Sequence, residues 1–167
     1  MTLLRRLALP FLAFAASAAL AAPAPPAQAP GPDMYVMRHL QKGTGDDPGV
    51  NAEGQRNAER LADWFRRRPP RAIYVSTTRR ALETAVPLAA ELHLAPKEYG
   101  PADVAGLVAR VRRERGPVLV VGHSNTVPEI VAALGGARPE PIPDTAYGDI
   151  WHVAPGGAVE KKSLGGR

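Results

Sequence analysis

Three short stretches of the chain are almost wholly apolar: "MYVMR" at 34–38, "AIYVS" at 72–76 and "VLVVG" at 118–122. Their length and β-branched content predict strands buried on both faces. The segments between them follow a helical period instead. In 51–67, Ala58, Leu61, Ala62, Trp64 and Phe65 share one face, with Asn51 as N-cap and Pro69-Pro70 as the stop. In 78–92 the face is Ala81, Ala85, Leu88, Ala89 and Leu92, with a kink expected at Pro87. Val104, Leu107, Val108 and Val111 repeat the spacing in 102–114, and a fourth helix is expected from near Val127 to Gly135-Gly136. A short third strand is expected ahead of Glu98, and "YGDIWHV" and "GAVEKK" read as late strands joined at Pro155-Gly156. This alternation predicts an α/β fold, a three-layer α/β/α sandwich with a mainly parallel sheet. Such sheets bind ligands beyond the carboxyl ends of their strands, near a topological switch point.

The first thirty residues break the pattern. Arg5 and Arg6, an apolar run from Leu7 to Leu20 and then Ala19-Leu20-Ala21 have the layout of a secretory signal peptide, assigned to residues 1–21. As a membrane anchor the run is short and is interrupted by Pro10. Residues 22–32 form a Pro/Ala-rich linker, leaving 33–164 as one folded domain. The expectation is a periplasmic or secreted protein with no stable membrane insertion after signal cleavage. The chain has no cysteine, which excludes disulfides, thiolate zinc sites and a cysteine nucleophile. Its formal charge of +5 becomes +3 without Arg5 and Arg6. The arginines read as scattered over solvated helix faces with little aromatic interleaving, so a small anionic substrate is expected and nucleic acid is not.

Candidate chemistry gathers where predicted strands end. Arg38-His39 closes the first and His123 the third of the apolar runs. In "VSTTRRALETA", Arg79 and Arg80 would fall in the first turn of a helix, where cations oppose the helix dipole unless an anion is bound. Thr126-Val127-Pro128-Glu129 fits a capping box, so Glu129 is expected to cap, and His123 would precede a helix N-terminus that attracts phosphate. Two histidines, Arg38 and one arginine of the second motif make a cationic pocket suited to a phosphoryl group. A neutral imidazole can attack phosphorus and split one hard displacement into two easier ones. Arginines clamp the oxygens that carry charge in the transition state. No metal-ligand spacing is visible, and the loop "QKGTGDDPGV" lacks the lysine and hydroxyl spacing of a nucleotide loop; it reads as a mobile rim.

Together these motifs resemble the histidine phosphatase superfamily, the group related to phosphoglycerate mutase. The Arg-His-Gly signature is echoed by Arg38-His39-Leu40 and the Leu-Thr-x-x-Gly helix start by Val50 to Gly54. "STTRRALETA" echoes Ser-Pro-Leu-x-Arg-Ala-x-Gln-Thr-Ala, and Val121-Gly122-His123-Ser124 matches the Val-Gly-His-Ser segment. The resemblance implies a phosphoglycerate mutase-like fold and a phosphomonoester hydrolase that uses no cofactor or metal. His39 would be the phosphorylated nucleophile. Arg38, Arg80 and His123 would hold the phosphoryl group, with His123 protonated when it donates and Ser124 assisting. Leu40 departs from the signature glycine: the loop must use ordinary dihedrals or turn the side chain away from the phosphate. The family's general acid corresponds best to Glu98, with Asp46, Asp47 and Asp103 as rivals. Lacking an acid, the site would favour good leaving groups such as acyl phosphate or phosphohistidine. A catalytically silent phospho-ligand binding module is the alternative, and a polyanion-binding surface protein a third possibility. His93 and His152 are set aside as capping or surface residues, and Trp64 and Phe65 as core.

Overall fold

A computed structural model describes residues 31–165; the expected signal peptide and nearly all of the expected linker lie outside the described residues. The elements run β1 (Met34–Arg38), α1 (Ala52–Phe65), β2 (Ala72–Ser76), α2 (Arg79–Leu92), β3 (Lys97–Tyr99), α3 (Val104–Val111), β4 (Val118–Gly122), α4 (Val127–Ala133), β5 (Asp149–Val153) and β6 (Val159–Ser163). They build one sheet in the order β3-β2-β4-β1-β5-β6. β3, β2, β4 and β1 are parallel, while β5 and β6 are antiparallel additions at one edge. Every residue of β1, β2 and β4 is buried, as their apolar runs require.

Two apolar layers sandwich the sheet. On one face Leu61, Phe65, Ala85 and Leu88 of α1 and α2 meet Met37, Ile73 and Val121. On the other Leu107, Val111, Ile130 and Val131 of α3 and α4 meet Val36, Tyr74 and Val120. The three-layer architecture follows directly. β1 leads away past β4 to β2, and the chain returns through β3 to β4, so the switch point lies between the neighbouring β1 and β4. No helix among the described residues is long and apolar enough to cross a membrane.

Local expectations mostly hold, with corrections. The Asn51 side chain accepts a hydrogen bond from Gly54 N at 2.9 Å, but α1 ends at Phe65, short of the prolines. α2 continues through Pro87 without a break. The buried stripe of Ala81, Ala85, Leu88 and Ala89 holds that helix to the sheet, and Pro87 lies off the stripe. His93 is the C-cap of α2, in the left-handed conformation at φ 53°. β6 begins at Val159, later than expected, because Gly156 and Gly157 take positive φ in the turn before it.

Candidate active site

The register of β1 on β4 pairs Arg38 with Gly122, so the residues that follow, His39 and His123, emerge side by side. Their ring centroids are 5.4 Å apart. His39 N donates to Gly122 O at 2.8 Å, extending the parallel ladder by one bond. His39 Nδ1 lies 2.8 Å from Leu40 O. A carbonyl only accepts, so Nδ1 carries the proton and Nε2 keeps a free lone pair. Burial lowers the His39 pKa to about 4; the bond to Leu40 O opposes this, and His123, Arg38 and Arg80 add to it. The ring is therefore neutral at physiological pH, the form a nucleophile needs.

Leu40 resolves its own departure from the signature. Among the described residues only His93 combines a side chain with positive φ, so Leu40 uses ordinary dihedrals. Its side chain is fully buried in the layer formed with α1 and α2. Its N–H donates to Thr84 Oγ1 at 2.9 Å, and that hydroxyl donates to Arg80 O at 2.8 Å. The nucleophile loop is thus fastened to the helix that carries Arg80.

Both arginines are held by several partners. Arg38 Nη1 donates to Pro143 O at 2.9 Å and Ala146 O at 3.0 Å, and its guanidinium lies 4.2 Å from the Tyr147 ring centroid. Arg38 Nη2 reaches the Tyr147 hydroxyl at 3.4 Å and Asp144 at 3.5 Å. Arg80 Nη1 lies 3.4 Å from Asp47, and Nη2 lies 3.4 Å from His123 Nδ1. Neither Nε has a partner. Among the described residues these two Nε atoms are the buried side-chain polar atoms left unpaired. A buried unpaired donor is destabilising by about 1–3 kcal/mol, so two of them, one on each side of the histidine pair, constitute a signal. Arg79 behaves differently: it is two-thirds exposed and pairs with Glu83 at 2.6 Å, which leaves Arg80 as the clamp.

Arg80 can only donate, so His123 Nδ1 accepts and Nε2–H donates to Ser76 Oγ at 2.7 Å. Burial, then Arg80 and Arg38, lower the His123 pKa to about 4, so this ring too is neutral as it stands. Thr126 does not form the expected capping box. The chain is already helical there, and its hydroxyl instead accepts from His123 N at 3.0 Å; Glu129 is exposed and unpaired. Gly122 makes that contact possible, because a Cβ there would stand 2.9 Å from both Thr126 Oγ1 and Tyr99 Oη.

The carboxylates fall out differently from expectation. Glu98 lies on edge strand β3 with its side chain exposed, and only its carbonyl is engaged, by Arg110 at 3.1 Å. Among the described residues no hydrogen bond or ion pair joins it to the two histidines or their arginines. Tyr99, its neighbour, turns into the sheet layer and takes the inward position. Asp103 caps α3 through Gly106 N at 2.9 Å, and Asp46 is exposed without a partner. The carboxylates that do reach the site are Asp47, a named rival, and Asp144. Asp47 accepts from Arg79 N at 3.2 Å through both oxygens, and Asp144 stands 3.5 Å from Ser124 Oγ. The rim loop is fastened rather than loose: Gly43 N donates to Gly49 O at 3.0 Å, and Val50 N to Glu83 at 2.7 Å. Sequence reasoning missed Asp144, Tyr147 and the role of Ser76. Asp144 lies in an aperiodic proline-rich loop, Tyr147 in a stretch expected as strand although β5 begins only at Asp149, and Ser76 stands in its motif without a role of its own. Among the described residues no three His, Asp or Glu side chains gather to hold a metal ion.

Fold and site together define a class: a phosphoglycerate mutase-like α/β sandwich with paired histidines and two arginines at the switch point. Residues 35–100 match the family model of the histidine phosphatase superfamily (branch 1). The protein histidine phosphatase SixA, solved with tungstate, superposes with TM-score 0.63 at 19% identity, covering 79% of this chain and 97% of that one. YhfR of Bacillus stearothermophilus gives 0.62 at 19%, covering 81% and 97%. Mycobacterial glucosyl-3-phosphoglycerate phosphatase with inorganic phosphate gives 0.60 at 16%, covering 79% and 95%. No curated protein sequence matches the chain.

Proposed function

We propose that this protein is an exported, metal-independent phosphatase that hydrolyses phosphomonoesters through a phosphohistidine on His39. The observation that carries this reading is the pair of buried, unpartnered Nε donors on Arg38 and Arg80, flanking a neutral histidine whose Nε2 is free. The phosphoryl group takes its hydrogen bonds from those donors. His39 Nε2 attacks phosphorus, the bond to the leaving oxygen breaks, and the guanidinium charges neutralise the peripheral oxygens. Water then attacks the phosphohistidine, releasing phosphate and restoring the imidazole. The anion between the arginines also favours a proton on His123, which changes from acceptor of Arg80 to donor. Export rests on the signal-like residues 1–21 alone, and independence from metal on guanidinium groups doing the work of charge neutralisation.

The leaving group narrows the substrate. The carboxylates at the mouth, Asp47 and Asp144, are exposed and hydrogen-bonded to the site or its rim, and neither is buried as a dedicated acid would be. Leaving groups that depart with little protonation are therefore favoured: acyl phosphates, aryl phosphates and the phosphoramidate of phosphohistidine. The solved protein histidine phosphatase among the structural neighbours supports including the last. The same lack of a buried acid is what favours the second reading, a phospho-ligand binding module without turnover.

One experiment separates the two. Aryl phosphate hydrolysis in the presence of a chelator is expected for the parent protein, with a loss of at least about 10³-fold in His39→Ala. Rapid quenching with radiolabelled substrate should trap an acid-labile phosphoprotein that His39→Ala does not form. Tight phosphate binding with no turnover would establish the module instead.

A further inference from the structure

The end of the sheet opposite the catalytic mouth carries an arginine surface that the reaction does not use. Two loops build it, residues 66–71 ahead of β2 and 112–117 ahead of β4, joined where Arg71 N donates to Pro117 O at 2.6 Å. Arg66, Arg67, Arg68, Arg71, Arg112, Arg113 and Arg115 are all exposed there. Arg66 pairs with Asp63, and Arg112 donates to Ala133 O at 3.0 Å. The other five have no carboxylate partner among the described residues. The acids nearby are already engaged: Asp33 with His152 at 2.7 Å, and Glu114 with Lys97 at 2.6 Å and the Tyr74 hydroxyl at 2.7 Å. A concentration of like charge left unneutralised stores repulsion that an external polyanion would relieve.

One further observation narrows the partner. A cavity of about 360 Å³ opens beside this face, with Trp64 and Tyr35 as its aromatic wall, Arg67, Arg68 and His152 around it, and Lys162 paired with Glu160 at 2.8 Å on its rim. An amphipathic indole among guanidinium groups suits the headgroup layer of a bilayer.

We propose that this face docks on the surface of an anionic phospholipid bilayer, its arginines taking lipid phosphates bidentately, with the catalytic mouth turned to solvent. The occupant is a lipid surface rather than nucleic acid, because the arginines crown two short loops with one aromatic cavity and present no row of stacking side chains.

The test measures partitioning of the full chain onto vesicles of phosphatidylcholine with and without phosphatidylglycerol, at low and high salt. Each arginine close to the surface contributes roughly fivefold to binding. The fourfold variant Arg67→Gln, Arg68→Gln, Arg113→Gln, Arg115→Gln should therefore bind anionic vesicles about 600-fold more weakly than the parent. Replacement of the same four by lysine should retain most of the binding. Unchanged thermal unfolding of both variants shows that the domain is intact. The difference between the two kinds of vesicle isolates the arginine face from any apolar contribution common to both. Equal binding to neutral and anionic vesicles overturns the proposal, as does an undiminished glutamine variant. Preferential binding to duplex RNA over anionic vesicles, lost in the same variant, would assign the face to nucleic acid and overturn it too.

Discussion

The two ends of this sheet use arginine in opposite ways. At the carboxyl ends of β1 and β4, Arg38 is buried and Arg80 nearly so, each fixed by named partners through its Nη atoms and each left with one Nε unpaired. At the amino ends seven arginines are exposed and, among the described residues, six of them lack ion partners. Composition cannot distinguish these groups, because both simply add to the net charge. The difference lies in burial and fixation. A guanidinium held at two corners in low dielectric becomes a donor with one direction, whereas in solvent it is a screened positive charge. The first arrangement suits an anion bound at a point, and the second suits a surface.

The comparison breaks if charge alone suffices at the carboxyl end. Arg80→Lys preserves charge but removes the directed Nε donor and the bond to His123 Nδ1. A fall in kcat/KM of about 10²–10³-fold is expected, the magnitude seen when one oxyanion donor is lost. Arg67→Lys at the other end should leave kcat/KM unchanged. Equal effects at the two positions, measured on one aryl phosphate, would show that the orphan donors do not matter.

Much of this contrast was legible from sequence, though not its spatial half. The apolar runs 34–38, 72–76 and 118–122 could be read as strands because burial on both faces confines their charged or hydroxyl-only residues to the carboxyl ends, Arg38 and Ser76. Arg80 could be chosen over Arg79 by motif, and in the structure Arg79 is the exposed one of the two and pairs with Glu83. Glu98 misled, since location after a strand says nothing about which way an edge residue faces. Asp144 was invisible because the loop after α4 has no period to read, and Tyr147 reads as part of a strand that begins only at Asp149, after Gly148 takes positive φ. The arginines seemed scattered for a similar reason. Residues 66–71 and 112–117 are far apart in the chain, and only the adjacency of β2 and β4 brings them together.

The histidines sharpen the comparison through pH. His39 and His123 are held near pKa 4 in the folded protein, against an ordinary value of about 6.5. Between these values the unfolded chain binds more protons than the folded one, so each ring's contribution is full above about 6.5 and is lost as pH falls toward 4. The loss is on the order of 3 kcal/mol per ring, and because the two rings interact their steps merge. Urea unfolding followed across this range should show the decline, and His123→Gln should remove about half of it. A stability profile flat from pH 6.5 to 4 would mean that the rings are more hydrated than their burial implies.

The smallest expected effect isolates one bond. His123 and His152 each have a fixed partner, Ser76 Oγ at 2.7 Å at the catalytic end and Asp33 at 2.7 Å at the arginine end. Ser76→Ala leaves the buried Nε2–H of His123 without an acceptor, a loss of about 1–2 kcal/mol in stability. It also frees the ring to exchange tautomers, so kcat should fall by up to about tenfold while substrate affinity changes little. Ring nitrogen chemical shifts provide the readout that a merely structural role would not move, because the N–H and lone-pair nitrogens of a neutral imidazole resonate far apart and average when tautomers exchange. Asp33→Asn removes the comparable partner of His152 yet touches no group in the reaction, so turnover should stay at the parent level. If the two substitutions reduce turnover equally, His123 is not set by Ser76, and the difference between a histidine that positions an anion and one that closes a sheet edge must lie elsewhere.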